Sequence, residues 1–102
     1  MDKIEGSAQH PTYKDEFKHG VDLFERSFKA YQNSHMDNQK QAFVEIMGKA
    51  SHVMDETAPM VLNSSGQAQL SKLRKDYQDF ISNPSSELMK SIQDDLNELK
   101  NT

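Results

Sequence analysis

Glu16-Phe17-Lys18-His19 places a carboxylate and an imidazole three residues apart, the spacing that di-metal helix bundles use on two of their helices. On its own such a pair is a fraction of a metal site. The remainder requires a second Glu-x-x-His and two further glutamates pointing into the same core, and no second copy follows. At 100° per residue His19 also falls about 160° from the main apolar seam, so it faces water. The chain has no cysteine, which excludes thiolate ligands, thiol nucleophiles and disulfides. Carboxylates stand side by side at Asp15-Glu16, Asp55-Glu56 and Asp94-Asp95. Neighbours on a helix diverge by about 100°, so these pairs read as solvated faces rather than acid–base partners. No glycine-rich phosphate loop or strand-turn-helix nucleophile elbow is present. The expectation is a protein without catalysis, metal or other cofactor.

Phosphotransfer is the chemistry that a small helical chain can perform with one exposed histidine. On a helix over 38–57, His52 projects opposite Phe43, on the face of Glu45, Gly48 and Glu56. In architecture this resembles the histidine phosphotransfer domains, small four-helix bundles with an exposed phosphoacceptor histidine. That family's motif is His-x-x-Lys-Gly, in which the lysine offsets phosphoryl charge. Here the stretch reads His52-Val53-Met54-Asp55-Glu56. Asp55 stands in the lysine's place and Glu56 adds a carboxylate one turn on; both repel a phosphorylated imidazole. A phosphotransfer-type signalling role through His52 is therefore the alternative. The leading expectation is a non-enzymatic protein–protein interaction module, such as an adaptor, a small chaperone-like factor or a regulatory subunit.

The elements that would carry these residues are helices. Tyr13, Phe17, Val21, Phe24, Phe28 and Tyr31 fall within about 80° of one helical face and include five of the eight aromatic residues. Residues 1–11 are polar and aperiodic and read as a mobile tail. Thr12 is the expected N-cap, with Asp15 and Glu16 in the first turn. Gly20, at the seam's edge, reads as a weak point in the helix rather than a close approach. A second helix over 38–57 presents Phe43, Ile46, Met47, Ala50, Val53 and Met54, and Pro59 is expected to end it.

Pro59 to Asn63 then forms an apolar connection. Ser64 and Gln67 have capping-box spacing for a third helix with the face Leu70, Leu73, Tyr77, Phe80 and Ile81. Lys72 and Asp76 are expected as a solvated pair opposite that face. Asn83 as N-cap and Pro84 at the first helical position open a fourth helix with the stripe Leu88, Ile92, Leu96 and Leu99. The prediction is an all-α fold, one domain over 12–102, forming an antiparallel up-down-up-down four-helix bundle. The alternative is a three-helix core with the last helix loosely docked or swapped into a dimer.

Charge and apolar surplus bound the partners. The net charge of −4 is mixed along the chain, with no basic patch of the kind nucleic acid requires. No apolar run is long enough to span a bilayer and Met1 to Thr12 has no secretory h-region, so a cytoplasmic protein without membrane contact is expected. A hydrophobic fraction of 34% makes a thin core, which favours a homodimer. The candidate partner surface is Met60-Val61-Leu62 with Leu23, joined by Asp94, Asp95 and Glu98. These three acids crowd the C-terminal half of the last helix, where the macrodipole prefers cations.

Overall fold

The computed structural model describes residues 12–101; the expected tail over 1–11 lies outside them. Four helices follow in order: α1 (Tyr13–Asn33), α2 (Asp37–Val61), α3 (Ser64–Ser82) and α4 (Ser86–Lys100). The described residues contain no strand. Thr12 caps α1 through a full capping box: its Oγ1 accepts from the Asp15 amide at 3.1 Å and its own amide donates to the Asp15 carboxylate at 3.5 Å. Two unpaired amides of the first turn are thereby satisfied.

The aromatic seam forms the spine of the core, with Phe17, Val21, Phe24 and Phe28 all buried. Met47, Ala50, Met54 and Ala58 face them from α2. Leu70, Leu73 and Phe80 enter from α3, and Ile92, Leu96 and Leu99 from α4. Sequential helices run antiparallel. Gly20 lies against Ala50 and Met54, while Lys40, at the other end of the pair, sits over the Tyr31 ring. Tyr77 donates to the Val44 carbonyl at 3.2 Å, and Arg74 meets Asp55, further along α2, at 3.2 Å. Glu25 of α1 reaches both Gln93 and Lys100, closing α4 onto α1. The diagonal between α1 and α3 is filled by edge-to-face rings, Phe24 on Tyr77 and both Phe28 and Tyr31 on Phe80, with centroids 5.2 to 5.7 Å apart. With three core side chains and these polar ties, α4 is docked rather than loose.

Several local expectations are corrected. Pro59 does not end α2, which continues to Val61. The ring is exposed, so the Asp55 carbonyl that it deprives of an amide lies toward the outer side, while Ala58 beside it is held helical by burial. The cap of α3 is Asn63, whose Oδ1 accepts from the Gly66 amide at 2.8 Å, one residue before the expected Ser64. Ser85, not Asn83, caps α4, accepting from the Leu88 amide at 3.1 Å, and Asn83 closes α3. Gly20 is a point of close approach: a Cβ there would stand 3.0 Å from Met54 Cγ and 3.3 Å from the Ala50 carbonyl oxygen. The missing side chain lets α1 and α2 pack tightly. At the ends of their stripes Tyr13 and Ile81 are exposed, and Phe43, Ile46 and Val53 are only half-buried.

Candidate functional site

The start of α1 carries two rows of side chains that serve different ends. Phe17 and Val21, one turn apart, point into the bundle, while Lys14 and Lys18, also one turn apart, stand beside them at the surface. The end of α2 and the two-residue joint to α3 bring Val61 and Leu62 to the same place, and Leu99 arrives from α4. These five apolar side chains floor a cleft of about 490 Å³ at one end of the bundle.

Five charged residues rim it: Lys14, Lys18, Asp22, Glu25 and Lys100. Its two carboxylates are already occupied. Asp22 pairs with Arg26 at 3.0 Å, and Glu25 accepts from Lys100 at 2.7 Å and from Gln93 at 2.8 Å. Burial pushes the Glu25 carboxyl up, but Lys100 and Gln93 outweigh it and hold the group below its ordinary value. Lys14 and Lys18 have no ion pair among the described residues. The rim therefore carries two uncompensated ammoniums.

The expected partner surface divides under this geometry. Val61 and Leu62 line the cleft, and Met60 beside them is 54% exposed. Leu23 lies outside the cleft, half-buried and packed against the core. Asp94 and Glu98 are exposed on α4, but Asp95 is 2% exposed and is no surface residue. The reason is register: Asp95 follows Ile92 by three and precedes Leu96, both core positions, so it faces α3. There Lys72 donates to its Oδ1 at 2.7 Å and Gln69 donates to the same oxygen at 3.3 Å. Its Oδ2 is buried with no donor.

That environment sets the charges. Burial pushes the Asp95 carboxyl up to about 6, and the neighbouring Asp76 carboxylate adds to the rise against the pull of Lys72. Asp76 moves the other way, held low by Asp95 and by Lys72, which lies at 3.1 Å. Two carboxylates from different helices thus share a site, the buried one shifted up and the other down. The expected pair Lys72/Asp76 forms with Lys72 exposed, and the same lysine reaches in to the buried Asp95. Asp95 itself is closed off from solvent.

Elsewhere the chemistry is dispersed. His52 Nε2 lies 3.4 Å from Glu56 Oε2, with both side chains well exposed, and Asp55 is turned toward Arg74. His19 is exposed and Glu16 half-buried at the surface of α1. Among the described residues no three His, Asp or Glu side chains gather as a metal ion requires. None of the described helices is long and apolar enough to cross a membrane. Sequence reasoning found two of the five floor residues, Val61 and Leu62, but missed the lysine rim. The visible signal was Lys14 and Lys18 spaced i,i+4 beside the seam, with Asp22, one turn past Lys18, paired to Arg26. Set against protein-family models, curated proteins and solved structures, the chain matches none.

Proposed function

We propose that this chain is a non-enzymatic, cytoplasmic protein–protein interaction module that engages its partner through the cleft at the start of α1. The observation that carries the reading is the cleft itself: an apolar floor of about 490 Å³ on the surface of a bundle whose remaining large side chains are mostly consumed in its core. Apolar concavities with a few charged groups at the edge are where binding is ordinarily found. Met60, exposed beside Val61, extends the patch with a side chain that re-packs at little cost. A phosphotransfer role for His52 draws less support, because Glu56 lies beside the imidazole. The test is a photo-crosslinking residue placed at Lys18 and, as control, at the exposed Lys49 of α2. The reading expects one discrete protein adduct from position 18 and none from position 49. No adduct, or the same products from both sites, overturns it.

A further inference from the structure

We infer that the cleft accepts a peptide segment of another protein that offers two or three large apolar side chains flanked by carboxylates. This rests on the interaction-module reading and adds the chemistry of the partner. Phe17, Val21 and Leu99 form the buried part of the floor and offer no side-chain polar group, so only apolar groups can be buried there without loss. The volume, about 490 Å³, suits a few side chains rather than a whole helix.

Charge then fixes the flanking chemistry. Asp22 and Glu25 are each neutralised by a neighbouring cation, leaving Lys14 and Lys18 as a local positive surplus in a chain of net charge −4. Lys14 also sits in the first turn of α1, where the positive end of the macrodipole disfavours a lysine and adds to the field it projects. The other first-turn acids, Asp15 and Glu16, are not among the residues that line the cleft, and Asp15 is committed to the cap. An anionic partner gains from both terms; a cationic one is repelled by both.

Two other occupants fit less well. A second copy of this chain, docked symmetrically on the same patch, would set Lys14 and Lys18 against their own counterparts. A fatty acid shares the carboxylate and the apolar body, but Val61 and Leu62 remain partly exposed and would leave one side of an acyl chain wet. A peptide brings its own backbone and side chains as cover.

The experiment selects a phage-displayed library of short random peptides on the intact chain, and synthesises the most enriched sequence as the probe. The proposal expects apolar residues flanked on either side by Asp or Glu. It expects binding of that probe to weaken about tenfold in K14Q/K18Q, with no change in K49Q/K90Q. All four lysines are exposed, so unchanged melting curves will separate lost binding from lost fold. Enrichment of basic or uncharged apolar peptides, or indifference to K14Q/K18Q, overturns the partner's chemistry while leaving the interaction module standing. A dansylated fatty acid that binds in a Lys14- and Lys18-dependent way, with no peptide enriched, overturns it in favour of a lipid. Failure of selection together with absence of the Lys18 adduct removes both readings.

Discussion

Asp95 is the residue at which local sequence pattern and tertiary environment diverge most. Among Asp94, Asp95 and Glu98 it reads as one more surface acid, although register alone separates it: it stands three residues after Ile92 and four before Leu99, at the edge of the apolar stripe. The partners that make its burial tolerable, Lys72 and Gln69, lie on a different helix and are invisible to a window on α4. Its carboxyl titrates at about 6 in the fold against an ordinary 3.8, so folding favours the protonated form. The associated stabilisation is complete below pH 3.8 and is lost as pH rises through about 6. Asp76 and Glu25, both held low, contribute in the opposite sense: their stabilisation is present above their ordinary values and is lost on acidification. Asp95→Asn keeps an acceptor for Lys72 and Gln69 and supplies a donor for Asp76 without a charge to bury. We expect it to stabilise the protein at neutral pH by about 1–2 kcal/mol. Urea denaturation across a pH series will read this, together with loss of the decline expected of the parent as pH rises through about 6. An unchanged pH slope in the variant would show that Asp95 is ionised throughout.

At the scale of elements, the four helices were legible because each carries its own apolar period, and period is a property of a few adjacent turns. Their ends were less so. Thr12 was readable as a cap because a single candidate precedes the seam. Asn63-Ser64-Ser65 offers three competent caps in a row, and the choice depends on how Leu62 must sit. In the fold Leu62 packs on Gly66, whose absent Cβ would stand 3.0 Å from it, and Gln67 donates back to the Leu62 carbonyl at 3.0 Å. Leu62 therefore closes the corner, and the residue after it takes the cap. Asn63→Ala should lower stability by about 1 kcal/mol, whereas Ser64→Ala should stay within about 0.5 kcal/mol of the parent. Thermal melts of the two variants in parallel provide the measurement, and equal losses would return the cap to Ser64. Pro59 carries a related lesson. Proline's local preference against helix is real, but Ala58 in the core and the exposed position of the ring let α2 run on for one more turn. That extra turn delivers Val61 to the cleft.

Over the described residues the molecule is elongated and flat, with extents of 50 × 31 × 18 Å, and its cleft belongs to no single element. It arises where the start of α1, the α2–α3 joint and the end of α4 converge, which is why composition and periodicity could flag Val61 and Leu62 but not the pocket they complete. The same convergence bears on oligomeric state. A low apolar fraction argued for a second copy, on the premise that Leu23, Met60, Val61 and Leu62 would otherwise be left in water. In the fold Leu23 packs on the core, Val61 and Leu62 are half-buried, and of the four only Met60 remains largely exposed. One methionine falls far short of the roughly 800 Å² per partner that a stable interface buries. Enlarging the patch by way of the cleft would bring Lys14 and Lys18 of both copies together around a two-fold axis, where like charges oppose association. We therefore expect a monomer. Sedimentation equilibrium from about 10 to 100 μM, a range that exposes any dimer of ordinary affinity, should return the mass of one chain, with a melting temperature independent of dilution. A dimer mass that persists on dilution and is lost in Met60→Ser would place the second copy back on this surface. In that case the lysine rim would have to be met by an acid of the partner, such as Asp94 or Glu98, rather than by its own counterpart.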